Sequence, residues 1–195
     1  RVNPEVLTRE AREAIGLKDG DEVVGAAELR TGTETLCFVT SDAQLLHFGA
    51  DNVRPQGRAG GGMAGVRLAQ RQQVVFFGAF QDAESVVVTI SGSSTALPGT
   101  QVGAVKVTPL SEYPSKGRAT GGVRAHRFLK NEDTLLSAWV GPGPARAAAA
   151  SGAPVDLPPA DGRRDGSGTP AAQPIAAIGA PVVRQVAAAT SPDEG

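Results

Sequence analysis

Chemically reactive side chains are scarce in this chain of 195 residues, which carries one cysteine, one tyrosine, one tryptophan, one methionine and two histidines. A lone cysteine, Cys37, excludes an intrachain disulfide framework and fits a reducing cytoplasm. His47 and His126 stand alone, with no second His or Cys at ligand spacing, so a metal site is not expected. Neither an apolar run long enough to cross a membrane nor a secretory signal pattern is present. Nucleophile-base pairs and paired carboxylates are missing as well, and the chain reads as non-catalytic on its own. Gly60 to Gly65 fits the spacing Gly-x-Gly-x-x-Gly, but a dinucleotide site needs a helix immediately after it, whereas strand-like Val66-Arg67-Leu68 comes next.

Glycine, proline and repetition are what the chain has in quantity, with 25 Gly and 14 Pro. Gln56-Gly57-Arg58-Ala59 followed by Gly65-Val66-Arg67 returns as Lys116-Gly117-Arg118-Ala119 followed by Gly122-Val123-Arg124. Fixed-period self-similarity of this kind signals a propeller-like or solenoid architecture. Three hairpins anchor the repeat. Residues 35–41, 85–91 and 146–151 each run into a small or polar turn residue, then into a second short strand at 44–48, 103–107 and 154–157. A proline-bearing loop and Gly-Arg come next, at Gly57-Arg58, Gly117-Arg118 and the eroded Gly162-Arg163.

Runs of β-branched and aromatic residues between turn formers read as strands, so the fold class is all-β. Val23 to Leu29, Val74 to Phe80 and Thr134 to Val140 are expected to join one module to the next. Val86 to Val88 do not alternate, as for a strand covered on both faces. One short N-terminal helix is expected, with Asn3 as cap, Pro4 at its first position, a Glu5/Arg9 pair and Gly16 after Ile15 as the stop. The resulting division is residues 1–20 as an insertion with that helix, 21–80 and 81–140 as blades, 141–182 as a degenerate blade poor in aromatics, and 183–195 as a disordered tail. Arg1 in place of Met, and the absence of an opening strand, read as a piece of a longer polypeptide.

The formal net charge of −1 conceals a strong asymmetry. Residues 1–53 hold 5 Lys and Arg against 10 Asp and Glu, residues 54–130 hold 10 against 3, and residues 131–195 hold 4 against 7. The middle third is therefore the basic one, and it holds both intact Gly-Arg-Ala loops. Clustered Lys and Arg are the electrostatic footprint of phosphate binding. Arg54, Arg58, Arg67, Arg71, Lys106, Lys116, Arg118, Arg124, Arg127 and Lys130 make up the set. Taken singly, each is more simply a solvated surface charge; recurrence at matched places favours Arg58, Arg67, Arg118 and Arg124. His126, between Arg124 and Arg127, is read as a surface residue able to add a minor phosphate contact, and His47 as a surface residue too.

Residues 105–123, with Pro109-Leu110-Ser111-Glu112-Tyr113-Pro114, Lys116-Gly117-Arg118 and Gly121-Gly122-Val123 in register, resemble a blade of the C-terminal domain of the A subunit of bacterial DNA gyrase and topoisomerase IV. Residues 45–68 resemble another blade. The resemblance implies a β-pinwheel, a propeller-like disc with about three blades visible here, whose basic perimeter wraps or bends double-stranded DNA without sequence preference. It also implies partners, namely the ATPase B subunit together with the rest of the A subunit in an A2B2 assembly, in the nucleoid of the cytoplasm. No cofactor is expected in this chain; ATP and magnesium would serve other domains of the parent topoisomerase. Carried over position by position, the DNA contacts are Arg58, Arg67, Lys116, Arg118 and Arg124, with Arg127 beside them. Residues 56–62 keep the Gln, the Arg and two glycines of the special first-blade loop of gyrase but lack its other basic residues, so they read as an ordinary later blade. Tyr113 lacks the setting of a DNA-cleaving tyrosine and is expected to pack.

Wrapping needs no base readout, because each cation that neutralises a phosphate releases counterions, and weak contacts along a curved rim add up. The competing reading is a propeller-like protein-interaction scaffold that binds no DNA, for which aromatic anchors on the loops would be expected.

Overall fold

A computed structural model describes residue 1 and residues 14–56, 60–81, 84–97 and 99–181. Eleven strands run along them: β1 (Thr35–Thr40), β2 (Gln44–Gly49), β3 (Val74–Phe80), β4 (Ser85–Gly92), β5 (Ala104–Pro109), β6 (Val123–Arg124), β7 (Thr134–Pro142), β8 (Arg146–Ala148), β9 (Pro154–Val155), β10 (Thr169–Pro170) and β11 (Ala177–Gly179). They form three antiparallel sheets, ordered β3-β1-β2-β6, β10-β5-β4-β7 and β11-β8-β9. The three expected hairpins are β1-β2, β4-β5 and β8-β9. Repetition reaches fine detail, for the ladder slips between Val39 and Thr40 in the first sheet and between Ile90 and Ser91 in the second. Val39 and Ile90 are matched positions, each facing the second residue of the next strand, Leu45 and Val105.

Sheets and sequence modules are offset by one strand. β6 belongs to the second module yet pairs with β2 of the first, Gln44 opposite Arg124 and Leu45 opposite Val123. β10 likewise comes from the third module and pairs with β5, Thr169 opposite Val105. Each of the first two sheets is thus completed by a strand that arrives late in the chain, after its own third strand has passed. Glycine permits the exchange: Gly122 sits at φ +76° with its α-carbon against the Leu45 carbonyl, where any side chain would collide.

Apolar residues pack between sheets rather than in one central core. Cys37, Val39 and Leu45 of the first sheet meet Val87, Leu135, Ala138 and Val140 of the second, with Leu110 and Tyr113 between them. On its other face the second sheet packs Val88, Ile90, Val105 and Val107, with Trp139 of β7 beside them, against Leu157, Ile175 and Ile178. Non-alternating Val86-Val87-Val88 follows from this, because adjacent β4 residues feed opposite interfaces; each fully buried valine contributes about 1.5–3 kcal/mol. Leu36, Leu46 and Phe48 line the outer face of the first sheet, covered by Leu29, Val53 and Val66. The third sheet buries only Ala147 and Val155 through its short strands, as its alanine-rich sequence dictates.

Four expectations are corrected. The N-terminal helix is not borne out: residues 2–13 lie outside the described residues, while Ala14 and Ile15 are described and are not helical. Val23 to Leu29 form no strand, and Val23 and Val24 are 62% and 47% exposed. A β-branched run becomes a strand only where another strand meets its backbone, and among the described residues none pairs with this one. Val66-Arg67-Leu68 is also irregular; its backbone is taken up by a loop of the second module. Lastly, the second strand of the third hairpin stops at Val155. The expected tail at 183–195 lies outside the described residues.

Candidate nucleic-acid interface

Backbone contacts between two loops build the candidate site. The Ala119 N–H donates to the Gly65 carbonyl (2.6 Å) and the Arg67 N–H to the Thr120 carbonyl (2.9 Å), so the two copies of the repeat lie side by side. Ala119 can make its contact because it adopts φ +64°, a left-handed conformation. A third tie comes from the Arg118 guanidinium, whose Nη1 donates to the Ala64 carbonyl at 2.7 Å.

Between these loops lies an open groove of about 420 Å³. Arg67 of one module and Lys116 of the next line it, with Asp42, Gln44, Thr120, Gly121 and Gly122. Lys116 is fixed at its backbone, where its N–H donates to the His47 carbonyl (3.2 Å), and its ammonium reaches the Gly122 carbonyl (3.3 Å). Arg124 is exposed on β6, directly across from Gln44 at the edge of the groove. The groove thus sets two cations, Arg67 and Lys116, in one lining with the Asp42 carboxylate, which accepts a hydrogen bond from the Thr40 hydroxyl at 2.5 Å. Gly121 has nothing within 4 Å of where a β-carbon would stand, so the groove is open on that side.

Of the residues singled out from sequence, Arg67, Lys116 and Arg124 come together here. Arg127 is exposed a little further along the chain, facing the third module, where its N–H donates to the Gly166 carbonyl (3.0 Å). Arg118 is half-buried and engaged with Ala64, which gives it a part in joining the modules. Arg58 lies outside the described residues. Asp42, Gln44 and Thr120 were not anticipated, since nothing in the repeat marks a residue that reaches the groove from the β1-β2 turn.

Two other basic residues leave the surface. Lys106 is 4% exposed, and its ammonium donates to the Thr108 hydroxyl (2.7 Å), the Tyr113 hydroxyl (3.4 Å) and the carbonyls of Arg163 (3.3 Å) and Arg164 (2.8 Å). Burial lowers its pKa to about 8, against the opposing pull of Asp161 and Asp165. His126, expected at the surface, is 2% exposed. Its Nε2 accepts the Gly168 N–H (3.1 Å), so Nδ1 carries the proton toward the Thr89 hydroxyl (2.9 Å). Burial and the nearby Lys106 charge lower the His126 pKa to about 4. His47 is half-buried, its Nε2 2.8 Å from the Tyr113 carbonyl oxygen. Tyr113 itself is buried in the first interface, with its phenol pushed up to about 12 by burial. Burial raises the Cys37 thiol too.

Comparison with known proteins agrees with this architecture. A profile of the family described as DNA gyrase C-terminal domain, beta-propeller, matches residues 13–29, 34–80 and 99–138. The chain belongs to the DNA gyrase C-terminal domain family. The DNA gyrase A subunit of Escherichia coli strain K12 is 33% identical over 125 residues, 64% of this chain and 13% of the relative. The topoisomerase subunit TopoM of Mycolicibacterium smegmatis is 34% identical over 108 residues, 54% of this chain and 14% of the relative. The chain therefore spans about one seventh of the length of these relatives. Among solved structures, the C-terminal domain of a DNA topoisomerase IV superposes with a TM-score of 0.66 at 20% identity, covering 85% of this chain and 51% of that one. The Escherichia coli ParC C-terminal domain does so with a TM-score of 0.57 at 17% identity, covering 77% and 61%. These two speak to the gyrase C-terminal domain fold alone. The family match ends at Ala138, short of the third sheet and its β8-β9 hairpin.

Proposed function

We propose that this chain binds duplex DNA without sequence preference, as the C-terminal domain of the A subunit of a type IIA topoisomerase, and bends it along a basic rim during ATP-dependent strand passage. The observation that carries the reading is the groove in which Arg67 and Lys116, from different modules, converge with Arg124 at its edge. A phosphate lodged there touches two blades at once, so binding and blade arrangement are coupled. Catalysis, ATP and magnesium belong to other domains of the parent, and the partners are the B subunit together with the rest of the A subunit in an A2B2 assembly within the cytoplasm.

The exposed large apolar side chains among the described residues are all aliphatic, from Ile15 to Leu136. Peptide-binding discs rely on aromatic anchors, and this favours DNA over a protein-interaction scaffold.

Fluorescence anisotropy with a labelled duplex of about 40 base pairs over a salt series tests the reading. If Arg67, Lys116, Arg124 and Arg127 each neutralise one phosphate, together they contribute about −3.6 to the slope of log K against log salt, roughly a 150-fold loss between about 50 and 200 mM. Changing Arg67 and Lys116 to Ala flattens that slope by about 1.8. Affinity indifferent to salt refutes phosphate contact. A relaxation assay on circular DNA reads the bending itself: trapped writhe is expected, and an unshifted topoisomer distribution at saturating protein rules bending out.

A further inference from the structure

The loop at residues 161–168 holds the eroded third copy of the repeat, Gly162-Arg163, beyond the basic middle of the chain. In the fold it is held firmly against the second blade. The Asp161 N–H donates to the Val107 carbonyl (2.9 Å), as the Lys116 N–H does to His47 at the matched position of β2. Lys106 takes the carbonyls of two consecutive arginines, Arg163 and Arg164, and His126 accepts the Gly168 N–H. An ammonium as buried as that of Lys106 is tolerated only while its acceptors stay in place. Undocking the loop would strip it of both carbonyls, so the loop position is specified from below.

This anchoring decides where the arginines go. Their carbonyls turn inward to Lys106, and the Arg163 side chain is 83% exposed. The Arg164 guanidinium donates to the Arg124 carbonyl (3.4 Å), while the Arg127 N–H binds Gly166. Arg163 and Arg164 therefore sit beside Arg124 and Arg127, both exposed. Two carboxylates, Asp161 and Asp165, oppose these four cations and the buried fifth. Asp161 holds the Arg163 N–H (3.0 Å) and approaches its Nε (3.7 Å).

We propose that Arg163 and Arg164, with Arg124 and Arg127, form a second phosphate-binding cluster for duplex DNA on the third module, and that Lys106 is the positioning residue that aims it. Arg124 belongs to both clusters, so the rim continues across the second interface instead of ending at it. The proposal rests on the DNA-binding reading above.

The test uses the full chain, the same duplex and the same salt series. Changing Arg163 and Arg164 to Ala is expected to flatten the salt slope by about 1.8 and to weaken binding about tenfold or more at about 0.1 M salt. If that variant binds like the parent while the Arg67/Lys116 variant weakens, the second cluster is refuted and the first stands; if neither weakens, DNA binding itself is refuted. Lys106→Met should flatten the slope similarly while leaving the first groove intact; a folded Lys106→Met with the parent's slope overturns the positioning role. Asp161→Asn keeps the Oδ1 acceptor for the Arg163 N–H and removes the competing charge. Its affinity should rise several-fold, and an unchanged or lower affinity overturns the proposal even if Lys106→Met does not fold.

Discussion

Neighbouring glycines in the second module separate the effect of strand exchange from that of loop flexibility. Gly122 has φ +76°, and a β-carbon there would strike the Leu45 carbonyl, oxygen first and the carbon at 2.7 Å. Gly121, one residue before, would meet nothing within 4 Å and has no left-handed φ. In Gly122→Ala the left-handed conformation costs about 1–2 kcal/mol. Leu45 belongs to the β1-β2 hairpin and cannot yield, so β6 must lift and forfeit its pairing at Gln44 and Leu45, about 1 kcal/mol for each hydrogen bond lost. The total is about 3–4 kcal/mol, which for a chain of this size lowers the melting temperature by about 6–16 °C. Gly121→Ala should stay within about 0.5 kcal/mol of the parent. Differential scanning calorimetry reads both. DNA affinity should fall with Gly122→Ala as well, because Arg124 lies on β6 and the Lys116 ammonium is anchored to the Gly122 carbonyl. A Gly122→Ala protein that melts within about 2 °C of the parent would refute the claim that this close approach secures one blade to the next.

Two pH dependences follow from the buried bases. His126 has its folded pKa lowered from 6.5 to about 4, so its contribution to stability is complete above pH 6.5 and is lost as pH falls toward 4. That loss amounts to about 3 kcal/mol by linkage, and it should be absent from the pH profile of His126→Gln measured by urea unfolding; an identical acid limb in the two proteins refutes it. Lys106 acts at the other end of the scale. Its folded pKa is lowered from 10.5 to about 8, so the unfolded chain binds the extra proton between those values and stability should rise with pH across that window. A Lys106→Met profile with the same alkaline rise would show that another group is responsible.

Local pattern and long-range pairing differ in how far sequence reveals them. Val74 to Phe80 is a strand over the very residues that its β-branched and aromatic run marks, and the three hairpins fall where their turn residues place them. Two-residue strands such as β6 and β10 have no pattern of their own, since they exist only because another module's strand lies beside them. Val23 to Leu29 is the converse, a good strand pattern with no partner to pair it among the described residues. Charge was misleading in a related way. Lys106 reads as one more surface cation because its acceptors, Arg163 and Arg164, lie far ahead in the chain. His126 was hidden for the same reason, its partners being Thr89 and Gly168. In the groove, the repeat marked Arg67, Lys116 and Arg124, whereas Asp42 could be found only once β1 and β2 had been folded around their turn.

Strand exchange also sets a schedule for biosynthesis. The first sheet has three strands once Phe80 has left the ribosome, but its fourth place stays empty until Arg124 emerges, and the second sheet waits in the same way from Pro142 to Pro170. At ordinary elongation rates the first wait lasts about 2–9 s. Throughout it, β2 presents an unpaired edge to any neighbouring nascent chain. On polysomes carrying many copies of this sequence, the natural competitor for that edge is the β6 segment of another copy, so crowded synthesis should favour interlocked chains over single discs.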